Sequence, residues 1–265
     1  MIVPRGTDRF GVVVIGAGHA GCEAALACAR LGISTALVTL SRGKVAAMSC
    51  NPAIGGLGKS QIVREIDALG GQMARAADAS AIHFRRLNAS KGPAVRARRV
   101  QCDVNLYHAH MLEAIEREKH LVLVEGLVER LLTGKGGING VLLADGTRLD
   151  TEAVVVTTGT FLRGLMHVGL QATAGGRLGE PPAGALSAAL EELGLQLGRL
   201  KTGTPARLVA DTIDYEACEP QPSQLPAMTF AHEGKGADLE QVRCYVTRTN
   251  RTTHEIIESS LWDSP

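Results

Sequence analysis

The sequence predicts an α/β fold that opens on a βαβ unit within a parallel sheet, and three observations predict it. Val12-Val13-Val14-Ile15 is a short, β-branched run that is apolar at every position, as a parallel strand covered on both faces requires. It runs directly into Gly16-Ala17-Gly18-His19-Ala20-Gly21, a GxGxxG loop. From Ala20 the pattern turns helical, with Ala24, Ala25, Leu26 and Ala29 available to pack and Gly32 as a stop, before a second strand over Ser34 to Thr39. A strand, this loop and a helix in that order describe a Rossmann-type unit.

Each glycine has a physical task in such a unit. The first permits a tight turn, the second lets backbone approach a pyrophosphate, and the third lets helix and strand pack closely, with the phosphate on the helix N-terminus. Gly16, Ala17, Gly18, His19, Ala20 and Gly21 are therefore the candidate nucleotide-binding residues, His19 through its backbone. The second strand closes on Thr39-Leu40-Ser41-Arg42, without the Asp or Glu that would hold a ribose in an NAD site, although a hydroxyl from Thr39 or Ser41 could substitute.

Leu121 to Glu125 predicts another strand, and Gly134 to Gly140 followed by Asp145-Gly146 supplies turns between short apolar runs. We expect a β-meander inserted into the sheet. It leads into Ala153-Val154-Val155-Val156-Thr157-Thr158-Gly159-Thr160, a buried strand with a small-residue turn, where FAD proteins bring the chain back to the nucleotide-binding sheet. Together these features favour FAD over NAD. From about residue 205 the texture becomes proline-rich and loses helical periodicity. The expected organisation is an FAD-binding domain over residues 1–205 and the start of a second domain over 206–265, an insertion domain in the family resemblance given below, which stops at SSLWDSP without an evident terminal element.

Composition narrows the classes of function. With 28 Lys+Arg against 27 Asp+Glu the net charge is +1, so nucleic-acid binding has to come from a local patch. Aromatic content of 3% leaves few stacking platforms for bases. No window approaches the roughly 18 apolar residues of a membrane span, and MIVPRGTDRF lacks the apolar run of a signal peptide, so we expect a cytoplasmic protein with no membrane partner. The six cysteines form no CxxC pair; we expect free thiols, no metal site and no disulfide scaffold. Cys22 and Cys28 fall among alanines of the first helix and read as packing residues.

Two further stretches invite chemistry. In Met48-Ser49-Cys50-Asn51-Pro52-Ala53-Ile54-Gly55-Gly56-Leu57-Gly58-Lys59 a cysteine precedes a structure-breaking Asn-Pro and glycines that let backbone crowd a flat ligand. A helix follows, with Ile62, Val63, Ile66 and Leu69 on its expected apolar side. A buried small hydrophobe is the common fate of a free cysteine. Here the helix dipole and Lys59 could instead raise the thiolate fraction of Cys50. From His83 to Arg99 there are six basic residues besides His83; such a run is usually a solvated face, but Arg96, Arg98 and Arg99 could hold phosphates of a cofactor or of a nucleic acid.

GAGHAGCEAA, MSCNPAIGGLGK, REIDALGG, NASKGPAVRARR, TTGTFLRG and LKTGTPARL together resemble the flavoprotein subunit of the tRNA uridine 5-carboxymethylaminomethyl modification enzymes, the MnmG or GidA family. SCNPAIGG and NASKGPAV are far more specific than the glycine loop, and the match is collinear from about residue 10 to the end. The resemblance implies a Rossmann-type FAD domain interrupted by an insertion, in chains more than twice this length. It implies FAD, NADH as reductant and methylenetetrahydrofolate as carbon donor. It further implies a homodimer within a heterotetramer with the GTPase subunit MnmE, modifying C5 of the wobble uridine U34 of tRNA. Carried over by position, FAD contacts also fall on Val128 and, through backbone, on Ala183. Cys50 is then the candidate catalytic residue, as nucleophile at uracil C6 or as acid/base. The competing expectations are a folate- and FAD-dependent tRNA uracil-5-methyltransferase and a non-catalytic nucleotide-binding fragment.

Overall fold

The computed structural model describes residues 9–177, 179–180, 182–224, 229–234, 236 and 238–263. The chain begins β1 (Arg9–Ile15), α1 (His19–Arg30), β2 (Thr35–Thr39), the expected βαβ unit with a first strand three residues longer than its apolar run. Next come β3 (Ala53–Gly55), α2 (Lys59–Ala68), α3 (Met73–Ala79), β4 (Ala81–Leu87), β5 (Ala97–Cys102) and α4 (Val104–Arg117). The chain then forms β6 (Leu121–Glu125), β7 (Val128–Gly134), β8 (Gly137–Leu143), β9 (Arg148–Val156), β10 (Leu165–Val168), β11 (Gln171–Ala174) and α5 (Gly184–Glu192). It closes with β12 (Glu219–Gln221), β13 (Cys244–Val246) and α6 (Arg251–Ser259).

The main sheet has the order β6-β2-β1-β9-β8-β7. β1 runs parallel to both neighbours, with Val14 opposite Leu37 and Val155, and β2 runs parallel to β6. β9 does double duty: its first residues pair antiparallel with β8, and Asp150 to Val156 line β1. The meander thus extends the sheet as a continuation of a parallel strand. Val13 and Val14, adjacent and therefore on opposite faces, are both 0% exposed. Val14 packs with Leu26, Tyr107 and Met111 from the helices, Val13 with Val38, Val141, Leu149 and Leu186 on the meander side. Burying each such side chain contributes about 1.5–3 kcal/mol, which is why β1 needs an unbroken apolar run. The chain leaves β1 for β2 on one side while β9 lies on the other, so a crevice opens at their carboxyl ends.

A three-stranded antiparallel sheet, β3-β5-β4, packs with α2 and α3 beside this unit. Asp103 caps α4, its carboxylate accepting from the backbone N–H of Asn105 and Leu106 at 2.9 Å each. α2 buries only part of the expected face: Val63 is buried and Ile66 half-buried, but Ile62 and Leu69 are 54% and 90% exposed, while Ser60 and Asp67 are buried instead. Two polar residues on the inward stripe defeat a rule that follows only apolar spacing. Their hydrogen bonds, described below, replace the burial of aliphatic carbon.

Residues 195–209 are exposed and carry neither helix nor strand, and the expected boundary after 205 falls inside them. Beyond it the chain returns to the first unit. The backbone N–H groups of Gln224 and Val242 donate to the carbonyls of Phe84 and Ile82 on β4, and Phe230 and Ala231 enter the same core as α1, 0% and 3% exposed. Near the end, α6 precedes the SSLWDSP stretch, ending at its first residue, Ser259; a capping box between Asn250 and Thr253 starts it, and it buries no residue. Apolar periodicity had no buried face there to follow.

Candidate functional site

The glycine loop joins β1 to α1 at the mouth of the crevice. Gly16 has φ +100°, and a Cβ there would lie 2.5 Å from the Thr157 carbonyl at the end of β9. A Cβ on Gly21 would sit 1.8 Å from the Gly16 carbonyl oxygen and 2.7 Å from the Thr157 hydroxyl. The Thr157 hydroxyl donates toward the carbonyls of Ile15 and Gly16 at 2.9 and 2.8 Å, so β9 seals the loop from behind. Gly18 differs: a Cβ there would meet nothing within 4 Å. The outer glycines are required by the chain itself, and Gly18 faces open space.

Gly18 is also the N-cap of α1 and gives it no side-chain hydrogen bond, and the first turn carries no acid. An uncapped helix start with a bare glycine before it fits a pyrophosphate, whose oxygens would take the orphan N–H groups. His19, next in line, sits edge-on to Tyr107 of α4, ring centroids 5.5 Å apart, its Nδ1 3.4 Å from the Tyr107 hydroxyl. Burial holds the His19 pKa below its usual 6.5, so the imidazole stays neutral at neutral pH. Tyr107, which no sequence motif singles out, is 0% exposed, and burial pushes its phenol pKa up.

At the end of β2 the Thr39 hydroxyl donates to the Ser41 carbonyl at 3.3 Å. A carboxylate does reach the end of β2 from its neighbour: Glu125, at the end of β6, accepts from the Arg42 backbone N–H at 2.6 Å. Only strand pairing brings Glu125 there, and the spacing rule for a Rossmann unit does not look for it. Val128 begins β7, 3% exposed, just after Gly126 donates to the Thr39 carbonyl at 2.8 Å. Ala183 caps α5, 6% exposed, its N–H donating to the Phe161 carbonyl at 2.9 Å.

Cys50 lies two residues before Pro52 and three before β3, not at a helix start: β3 and a glycine turn separate it from α2, whose N-cap is Gly58 at φ +70°. Asn51-Pro52 feeds a strand because β5 is there to pair with it, Ile54 opposite Val100. The loop leading to Cys50 is bound to the glycine loop, since the Ala46 N–H donates to the Ala17 carbonyl at 2.8 Å. His108 Nδ1 meets the Val45 carbonyl at 2.7 Å, fixing the same loop to α4. The Cys50 thiol, partly exposed, donates to the Gly203 carbonyl at 3.3 Å, and the Arg207 guanidinium donates to the Cys50 carbonyl at 3.1 Å. The stretch from Lys201 to Arg207 thus overlies the cysteine, a placement nothing in its local sequence announces.

Two other cysteines lie buried beside this loop. Cys22 is 0% exposed, and burial pushes its thiol up to about 12; Cys102, 1% exposed, is pushed up to about 11 for the same reason. Neither supplies thiolate at neutral pH. The three candidate phosphate-binding arginines do not act as one set. Arg96 and Arg98 line one cavity, while Arg99, its side chain alternating to the other face of β5, lies near His83 and Cys244. Among the described residues, no group of three His, Cys, Asp or Glu could hold a metal ion, and no helix is long and apolar enough to cross a membrane.

Comparison with known proteins bears on this geometry. The family model described as "Glucose inhibited division protein A" matches residues 11–265. The tRNA uridine 5-carboxymethylaminomethyl modification enzyme MnmG of Syntrophotalea carbinolica is 54% identical over 256 residues, 97% of this chain and 41% of the relative. The protein of the same name from Zymomonas mobilis is 50% identical over 265 residues, 100% of this chain and 43% of the relative. The chain therefore spans about two fifths of the length of these curated relatives. The form I crystal structure of Aquifex aeolicus GidA superposes with TM-score 0.91 at 44% identity, covering 97% of this chain and 44% of that one. A GidA-related protein from Thermus thermophilus, 24% identical with TM-score 0.52, shares the fold over 71% of this chain and 69% of its own. With the family model and relatives at half identity matched over nearly every residue, the chain belongs to the glucose inhibited division protein A family, GidA or MnmG.

Proposed function

We propose that this chain supplies the FAD-binding and thiol-bearing part of an enzyme that modifies C5 of the wobble uridine U34 in tRNA. The observation that carries the proposal is the hydrogen bond from Ala46 to Ala17, which ties the loop bearing Cys50 to a glycine loop with open space at Gly18. A nucleotide cofactor and a reactive thiol need a shared frame if they serve one substrate, and this bond provides it. The name of the relatives, a tRNA uridine modification enzyme, supports the substrate.

On this proposal Gly16 to Gly21 and the start of α1 hold the pyrophosphate of FAD, with Val128 and Ala183 contributing backbone at the flanks. FAD when bound supplies redox chemistry, with NADH as its reductant and methylenetetrahydrofolate as the source of the added carbon. The buried, neutral His19 adds no positive charge beside the phosphates. The Cys50 sulfur adds to C6 of the uracil ring, which makes C5 nucleophilic, or it carries the proton at that position. The Gly203 carbonyl and Arg207 hold the cysteine against β3 while this happens. The GTPase subunit MnmE is the proposed partner, in a heterotetramer built on a homodimer, and the cytoplasm the proposed location.

Cys50→Ser in the full-length protein tests the central role. Flavin content and fold are expected to survive, because the substitution changes one atom at a partly exposed site. With partner, NADH, folate donor and tRNA supplied, modified wobble uridine is expected to fall to background while NADH still bleaches the flavin. Modification at near wild-type rate would remove Cys50 from the chemistry.

A further inference from the structure

Arginines from three separate elements converge on a cavity of about 310 Å³ beside the thiol loop: Arg64 of α2, Arg86 of β4, Arg98 of β5 and Arg96 just before β5. Ser60 and Gln61 of α2 complete the lining used here. Arg86 and Arg98 are directly opposite in the β4–β5 register, so their side chains leave the same face of the sheet. α2 crosses that face, and Gln61 donates to the Arg96 carbonyl at 3.4 Å.

The hydrogen bonds here orient guanidinium groups without neutralising them. Arg64 donates to the Phe230 carbonyl at 3.0 Å, Arg96 to the Ala89 carbonyl at 3.1 Å, and Arg98 to the Thr229 carbonyl. These acceptors are uncharged. Elsewhere arginine behaves differently: Arg9, Arg30, Arg42, Arg148, Arg163 and Arg177 each lie within 4 Å of a carboxylate. Among the described residues Arg64, Arg96 and Arg98 form no such ion pair. Burial, followed by the charge of Arg64, holds the Arg98 pKa below its usual value, with Asp78 opposing and Arg86 adding to the fall. Arg64, Arg96 and Arg98 thus bring to the cavity positive charge that no ion pair among the described residues offsets.

We propose that this cavity is a phosphate-binding site, formed by Arg64, Arg86, Arg96 and Arg98 with Ser60, and that the phosphate it takes belongs to the backbone of a single-stranded RNA. Its volume is at the low end for small-molecule pockets, about 300 Å³ upward, which suits one nucleotide unit rather than a dinucleotide. Planar guanidinium forks match phosphate oxygens bidentately, and the start of α2 adds the positive end of its dipole. The RNA assignment rests on the uridine-modification proposal and on position. The Gly56 N–H donates to the Arg98 carbonyl at 2.8 Å, and Gly56 is six residues past Cys50, so chain connecting thiol and cavity spans at most about 20 Å. A strand presenting a uracil at Cys50 would bring a neighbouring phosphate to these arginines.

The test is binding of a short, single-stranded, uridine-containing RNA to the chain across a salt series, with inorganic phosphate and AMP as competitors. Arg86→Gln with Arg96→Gln is the site variant, since neither residue donates to the 229–232 segment; Arg99→Gln, on the opposite face of β5, is the control. The site variant is expected to bind RNA at least tenfold more weakly and to lose about 0.7–1.5 from the slope of log K against log salt, while circular dichroism is unchanged and the control binds as wild type. RNA affinity and slope unmoved in the site variant, or moved equally in the control, would overturn the site. AMP or phosphate binding as tightly as RNA and displacing it would overturn the RNA assignment. None of these results bears on wobble-uridine chemistry, which Cys50→Ser decides separately.

Discussion

The glycine loop and the cysteine loop touch through one hydrogen bond, yet they are held in different ways. Around the glycine loop a near constraint joins a far one: Gly21 is shaped by the carbonyl of Gly16, five residues earlier, and Thr157, 141 residues beyond Gly16, closes the loop from just past β9, the strand beside β1. Around Cys50 the constraints come from far along the chain. Gly203 meets the thiol across 153 residues, and Asp78 takes the N–H groups of Phe230 and Ala231, at 2.8 and 2.9 Å, across 152 and 153. The glycine loop has one backbone constraint within its own sequence and is closed by the sheet, whereas the setting of Cys50 is assembled by the returning chain. The first should fail outright when disturbed, and the second should loosen while the first persists.

Gly21→Ala should have the largest effect. Its Cβ would collide with backbone at 1.8 Å, and no side-chain rotation relieves that. We expect a loss of more than about 4 kcal/mol in urea unfolding, or no cooperative fold at all. A loss below about 1 kcal/mol would mean that the loop is not shaped by its own backbone.

Phe230→Ala comes next. Phe230 is 0% exposed, and its ring lies where a Cβ on Gly55 would be, 2.6 Å away. Truncation should cost about 3–5 kcal/mol for the unit it anchors. Hydrogen exchange should show protection lost at Ala53–Gly55 and the segment over Cys50 but kept in β1 and α1. Equal loss in both would erase the distinction between the two regions.

Asp78→Asn probes the same anchor more gently. An amide nitrogen must face one of the two donors the carboxylate now accepts, so a loss of about 1–3 kcal/mol is expected. Burial raises the Asp78 pKa above its usual 3.8 despite those donors. The folded state therefore holds this proton more tightly, and the group's contribution is fully present below pH 3.8 and falls as pH rises through the higher folded value. The deficit of the Asn variant should narrow over that rise in chemical denaturation, and a constant deficit would assign the cost to packing alone.

The same contrast explains what the sequence could tell. β1, the glycine loop, α1 and β2 were legible because each is specified by residues within a few positions of one another, and the family motifs were legible as strings. Cys50 stands out for its neighbours and lies on a loop as its sequence implies, but the strand between it and the helix is not legible, because β3 exists only where β5 pairs with it. Ser60 and Asp67 were invisible as inward-facing residues, since apolar spacing cannot see that Asp67 accepts from the His232 N–H at 2.8 Å and from its Nδ1 at 2.7 Å. Arg64 was missed as a companion of Arg96 and Arg98 because only the packing of α2 on β5 unites them. In each case the missing information was a partner distant in sequence.

Tyr107→Phe is expected to have the smallest effect and separates two explanations of His19. The Tyr107 hydroxyl lies 3.4 Å from His19 Nδ1, long for a hydrogen bond, so its removal should cost no more than about 1 kcal/mol. Burial alone is the cause of the lowered His19 pKa, and the phenyl ring preserves that burial. His19 should therefore still titrate below 6.5 in the variant when followed by NMR, with protein stability still declining as pH falls below that value, because the unfolded chain takes up the proton first. A His19 pKa that returns to 6.5 in Tyr107→Phe would show that the hydroxyl, reaching across from α4, sets the charge state of the glycine loop. That outcome would add to Thr157 a second distant residue, 88 positions from His19, on which the loop depends.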